Sequence, residues 1–183
     1  MAEAVDYKQI GTRPIRPDGV DKVTGRARFG ADLILPNMIH GRVLRSPYAH
    51  ARIKSIDLSG ALAMDGVFAA VSGADFPDVD GGGEIGGEGG GTVGDVAKNV
   101  MARDKVLYHG HAVAAVAASS PALAEQALEA IKVEYDVLPP VLDVVAAMAA
   151  DSALVDENNY TNLPEKPDKP SNVANIGKLA RGD

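Results

Sequence analysis

His109 and His111 stand two residues apart in "KVLYHGHAVAAVAAS", a spacing that puts both imidazoles on one face of an extended strand. Two such nitrogens could begin a metal site. Zinc or iron would want three or four ligands in a defined geometry, with His40 or His50 joining from another strand. The spacing alone fixes no such geometry, and histidines flanking a turn glycine more often serve as surface or hydrogen-bonded structural groups.

The second candidate is "DGGGEIGGEGGGTVGD", residues 80–95, which holds nine of the chain's 20 glycines. Gly81, Gly83 and Gly86 match the spacing G-x-G-x-x-G. A dinucleotide loop needs a strand before it and a helix after it, because the free N–H groups of the helix hold the pyrophosphate. Here "ADFPDVD" before the run is acidic and broken by Pro77, and "GTVGDVAKN" after it opens no convincing helix. Glu84 and Glu88 would repel phosphate. Neither the EF-hand order of ligands nor a glycine-rich nonapeptide repeat is met, so calcium is disfavoured as well. The run reads as a mobile surface insertion.

Other chemistries find no seat. There is no P-loop, no Gly-x-Ser-x-Gly elbow and no pair of carboxylates on a rigid element. The terminal Arg181-Gly182-Asp183 matches a cell-adhesion tripeptide, for which chance is the better account. No residue is therefore assigned as catalytic, cofactor-binding or metal-binding.

The elements that would position these groups follow from periodicity and punctuation. Pro14, Pro17, Gly19 and Gly25 break residues 1–25 too often for a helix, predicting an extended arm that lies on something. Strands are predicted at 26–34, 38–44, 51–57, where the alternation is imperfect between Ile53 and Ile56, and 67–72, with a strand pair turning near Gly110 across 105–119. Ser59 is the predicted N-cap of a short helix stopped at Asp65-Gly66. Ser120 caps the clearest helix, with Pro121 first and Leu123, Ala124, Ala127, Leu128 and Ile131 on one face. "VEYDVL", 133–138, alternates as a half-buried strand ended by Pro139-Pro140. Residues 51–72 and 111–138 thus share one strand–helix–strand plan, which argues for a compact α+β domain with helices on a mixed sheet. From Asp151 the composition turns polar and proline-rich, predicting a disordered or partner-bound tail.

Length and composition bound the rest. A chain of 183 residues, 46% apolar and 23% charged, is expected to form one globular domain burying about two thirds of its unfolded surface. With no cysteine, it offers no disulfide, no thiol nucleophile and no ligands for an iron–sulfur cluster. The start, "MAEAVDYKQ", lacks a signal-peptide pattern, and no apolar run approaches the length of a membrane span, so a cytoplasmic location is expected. Residues 1–57 carry a net charge of +4 and residues 58–183 a net charge of −11. The basic part has no interleaved aromatics, which disfavours nucleic acid and suits docking onto a protein.

The ordered string of motifs goes further than these patterns. "IGTRPIRPDGVDKVTGRARFGADL", "MIHGRVLRSPYAHARIKSIDLSGALAMDGVFAAVSGADF" and "ARDKVLYHGHAVAAVAASSPALAEQALEAIKVEYDVLPPV" resemble the start of the molybdenum-binding large subunit of the xanthine dehydrogenase/aldehyde oxidase family. The resemblance covers most of residues 10–143. It implies the α+β fold of an α/β-hammerhead domain, a mixed sheet with two main helices, at 20–145. An extended N-terminal arm would occupy 1–19, and a Pro-rich linker at 146–183 would dock on a molybdopterin-binding partner.

It further implies a heteromeric oxidoreductase that oxidises or hydroxylates a small organic substrate using water. In such enzymes molybdopterin, [2Fe–2S] clusters and commonly FAD sit on other chains or segments. The family's pterin-binding and catalytic motifs lie downstream of this region, so none carries over to these residues. The chain is expected to be either a separately encoded subunit of a split enzyme or a fragment of a longer one.

Three readings follow. The first is a non-catalytic hammerhead component of a molybdenum hydroxylase. The second is a stand-alone binding or regulatory module of the same fold. The third is a small metalloenzyme centred on His109 and His111.

Overall fold

A computed structural model describes residues 7–79, 83, 93–163, 165 and 167–182. The chain divides into two compact units, Met1–Met38 and Ile39–Asp183.

The first unit is built from local bonds. Among its described residues one α-helix, α1, spans Gly19–Val23, where the glycine and proline count predicted an extended arm. The short helix survives because polar side chains brace it. Asp18 pairs with Arg16 and, at 2.7 Å, with Lys22, and Thr24 Oγ1 donates to the Val20 carbonyl at 2.7 Å. The strand expected at 26–34 is absent. Gly30–Asp32 instead form a 3-10 turn, closed by the Phe29 N–H donating to the Asp32 carboxylate at 2.9 Å. None of this unit's described residues is buried; Ile15, Val23 and Ile34 are each more than four-fifths exposed.

Among its described residues the second unit has six strands in two three-stranded sheets, where sequence patterning predicted one mixed sheet. One orders β1 (His40–Arg45), β5 (Ala112–Ala118) and β3 (Val67–Ser72); the other orders β4 (Lys105–Val106), β2 (Ala51–Asp57) and β6 (Lys132–Val137). Every pairing is antiparallel, with His40 opposite Ala118, Val71 opposite Ala115 and Ala51 opposite Val137. The two strands flanking Gly110 do not pair with each other; they belong to different sheets. The broken alternation in "ARIKSID" is a shift of register between Ile53 and Ser55 against β6, as a β-bulge produces.

Each strand–helix–strand unit crosses between sheets. One runs from β2 through α2 (Ser59–Leu62) to β3, and the other from β5 through α4 (Pro121–Glu129) to β6. Ser120 Oγ accepts from the Leu123 N–H at 3.2 Å, capping α4 as its sequence predicts. The start of α2 differs. The Asp57 carboxylate, not Ser59, supplies the acceptor, taking the Ser59 N–H at 2.9 Å.

The core is made of small residues. Ala61, Ala114, Val116, Ala118, Ala124, Ala127 and Ile131 form one cluster, and Ala51, Ala102, Val106 and Val113 a second. Ile56 and Val133 pack against both and so join the two sheets. The alanines let backbones approach closely. A Cβ added at Gly60 in α2 would lie 2.7 Å from the Ala130 carbonyl oxygen at the end of α4.

Two further helices escape the sequence reading. α3 covers Val93–Asn99, directly after the glycine run, and α5 covers Val144–Ala147, capped by the Asp143 carboxylate accepting from the Ala146 N–H at 2.8 Å. The segment beyond Asp151 is tied down by polar bonds. Asn159 Nδ2 donates to Ser171 O at 2.6 Å, Thr161 Oγ1 to Val173 O at 2.8 Å, and Asn162 bridges Asn175.

Candidate functional site

His111 sits at the end of the Leu107–Gly110 turn, which Gly110 can close because its φ is +84°. The side chain is buried, its ring stacked on Tyr108 with centroids 4.4 Å apart. Nδ1 accepts the Leu107 N–H at 3.3 Å, so the proton resides on Nε2, which donates to the Asn99 carbonyl at 3.1 Å. Both nitrogens are therefore engaged within the fold. Burial pushes the imidazole below its ordinary pKa, against a smaller upward pull from the Asn99 carbonyl. The neutral ring ties the end of α3 to the approach to β5.

His50, at the entry to β2, is 4% exposed. Its Nδ1 donates to the Pro139 carbonyl at 2.8 Å, while its own carbonyl accepts the Leu138 N–H at 3.0 Å. A proline carbonyl can only accept, so Nδ1 carries a proton, and the second ring nitrogen is Nε2. That atom is buried and meets no donor among the described residues. Nearby in sequence, Tyr48 packs edge-on against Tyr135 at 5.2 Å, and burial raises the Tyr135 phenol above its usual pKa.

The metal set suggested by histidine spacing does not assemble. His109 is exposed on the turn, His111 is buried, His40 begins β1 in one sheet and His50 precedes β2 in the other. Among the described residues no three His, Cys, Asp or Glu side chains come close enough to hold an ion. Of the glycine run, residues 80–95, only Gly83 and residues 93–95 lie among the described residues. Contrary to the sequence reading, a helix does follow it, but β3 ends at Ser72, well short of Gly81.

What the second unit does build is a polar groove of about 690 Å³. Arg52, Lys105 and Glu157 line one part, and Arg103, Asp78 and His111 another. Glu157 accepts from Lys105 Nζ at 2.9 Å and from Arg52 at 3.1 Å, and Lys105 also donates to the Leu154 carbonyl at 3.2 Å. The Lys105 ammonium chiefly holds the Glu157 carboxyl below the usual carboxylate range, with Arg52 assisting. Arg103 donates to Asp78 at 2.6 Å and to the Phe76 and Pro77 carbonyls at 2.9 Å each. All three cations are thus committed to protein partners. Among the described residues no nucleophile lies against a base in this groove. Sequence spacing could not reveal it, since its charges come from positions as far apart as 52 and 157.

The model of the aldehyde oxidase and xanthine dehydrogenase a/b hammerhead domain matches residues 24–139. This chain belongs to that family. A nicotinate dehydrogenase large molybdopterin subunit from Eubacterium barkeri is 36% identical over 152 residues, covering 82% of this chain and 33% of that protein. A carbon monoxide dehydrogenase large chain from Afipia carboxidovorans is 34% identical, covering 81% of this chain and 18% of the relative. Among solved structures, quinoline 2-oxidoreductase from Pseudomonas putida 86 superimposes with a TM-score of 0.64 at 39% identity, over 81% of this chain and 19% of that one. The hammerhead fold expected from the sequence is therefore the fold found. This chain spans a third or less of the curated relatives it matches.

The family's enzymes imply metal groups, and the donors of this chain do not fit them. It has no cysteine to hold an iron–sulfur cluster. Its two buried histidines spend three of their four ring nitrogens on the fold, and the fourth, His50 Nε2, stands without the companion ligands a metal requires. Among the described residues no helix is long and apolar enough to cross a membrane.

Proposed function

We propose that this chain is the hammerhead component of a molybdenum hydroxylase of the xanthine dehydrogenase/aldehyde oxidase type. It supports assembly with the molybdopterin-binding part of the large subunit, which oxidises or hydroxylates a small organic substrate with oxygen from water. The observation that carries this reading is the hammerhead match over 24–139, on a domain whose Lys105, Glu157 and His111 side chains are bonded within the fold. Molybdopterin, [2Fe–2S] clusters and FAD belong, in this reading, to other chains or segments of a cytoplasmic complex. Residues 1–19 act as an arm, 20–145 as the hammerhead body and 146–183 as a linker to the partner.

Co-purification tests this directly. The chain is expected to retain a molybdopterin-bearing polypeptide, and the isolated chain is expected to bind no stoichiometric molybdenum. Molybdenum carried by the chain alone overturns the assignment.

One observation favours a stand-alone module instead, the hydrogen-bonded order of the segment beyond Asp151. A monomer that captures no polypeptide from its source would support that second reading.

A further inference from the structure

We infer that residues 142–148 form an apolar docking knob that seats in a base-rimmed hollow on the molybdopterin-binding part of the large subunit. The inference rests on the function proposed above and adds the anchor through which the two parts meet.

The knob is apolar and turned outward. Leu142, Val144, Val145 and Met148 are 81, 74, 75 and 65% exposed. The one charged side chain among them, Asp143, caps α5, its carboxylate accepting from the Ala146 N–H. Val144 and Met148 lie one turn apart and share a side of the helix. Exposed single hydrophobics are ordinary on protein surfaces, but four within seven residues on a capped turn are not.

The knob is also held from both sides. Upstream, His50 takes the Leu138 N–H on its carbonyl and grips the Pro139 carbonyl through Nδ1. Downstream, Asn172 reaches back, its Nδ2 donating to Ala147 O at 3.2 Å and Ala153 O at 2.9 Å, while its Oδ1 accepts the Val155 N–H at 2.9 Å. A segment ordered by polar bonds, yet presenting aliphatic side chains to water, has already met the entropic cost of docking.

Charge and position select the occupant. No Lys or Arg occurs between Lys132 and Lys166, whereas Glu134, Asp136, Asp143, Asp151, Asp156 and Glu165 do, besides Glu157, which Lys105 and Arg52 pair. An anionic lipid surface would repel such a stretch, and so would a second copy of it. A hollow rimmed by Lys or Arg would attract it. The knob begins just past the end of the hammerhead match at residue 139. The matched region covers only 33% and 18% of two of the large subunits, so most of such a subunit is polypeptide available to supply the hollow.

The test mixes the full chain with the separately expressed molybdopterin-binding part and measures affinity by calorimetry. The triple variant Leu142→Ser, Val145→Ser, Met148→Ser is expected to bind at least tenfold more weakly with an unchanged melting temperature. Phe68→Ser, at an exposed position of β3, is expected to bind as the unsubstituted chain does. Equal binding by the triple variant and the unsubstituted chain overturns the knob while leaving the proposed function standing. No binding by the unsubstituted chain overturns both. A dimer that the triple variant dissolves in sedimentation, or knob-dependent binding to phosphatidylglycerol vesicles, assigns another occupant and overturns the inference.

Discussion

His50 holds Pro139 by its ring and Leu138 by its backbone, so one residue at the mouth of β2 fixes where the chain leaves β6. His50→Ala would strand a proline carbonyl that has lost its donor and open a cavity beside it. A loss of about 1–3 kcal/mol is expected, measured by denaturant unfolding. Hydrogen exchange should localise the effect, with the Leu138 amide exchanging faster than amides of β5.

His111 predicts a pH dependence of definite sign. Its folded pKa lies below the ordinary 6.5 because burial disfavours the charged ring. The unfolded chain therefore takes up the proton first, and stability falls as pH drops below 6.5 towards the folded value. His111→Asn is expected to be less stable at neutral pH and to lack that component of the slope. Melting temperatures of both proteins between pH 7.5 and roughly pH 5, where an unperturbed histidine titrates, decide the matter.

Gly60→Ala opposes two effects of different size. Helix propensity favours alanine by about 1 kcal/mol. The new Cβ, however, would stand 2.7 Å from the Ala130 carbonyl oxygen, a backbone atom that cannot swing aside. Overpacking of this kind costs about 1–3 kcal/mol, so the variant is expected to unfold at lower denaturant despite the better helix former.

Glu157 clasps the C-terminal segment to the groove through Lys105 and Arg52. Its folded pKa is depressed, so the clasp is fully present above the ordinary glutamate value and weakens as pH falls through the folded one. The carboxylate is about half exposed, which limits the pair to the range of surface bridges, about 0.2–1 kcal/mol. Glu157→Gln is expected to leave global stability nearly unchanged while speeding limited proteolysis between residues 151 and 163. Unaltered cleavage at neutral pH would refute the clasp.

The elements legible in the sequence are those written in local patterns. β2 and β3 begin and end where alternation and punctuation place them, and α4 starts at its Ser-Pro signal because cap and first residue both favour that geometry. α3 was hidden by Gly94 and the glycines before it, which lower helix propensity without forbidding a helix. The order beyond Asp151 was hidden for another reason. It depends on Asn159, Thr161 and Asn172 meeting backbone carbonyls 12 to 25 residues away, and no hydrophobic period announces such bonds. The histidines show the same limit at the candidate site. Spacing placed His109 and His111 on one face, but the turn at Gly110 separates them, and the Asn99 and Pro139 carbonyls that define the roles of His111 and His50 come from distant segments.

Arg103 ties itself to Phe76, Pro77 and Asp78 across 25 to 27 residues of chain, a staple that closes the segment carrying the glycine run. The entropic cost of closing a flexible segment grows only with the logarithm of its length. Doubling that length costs about 0.6 kcal/mol. A change in the length of the chain between Asp78 and Arg103 is thus expected to cost little in closure entropy while that pairing is kept.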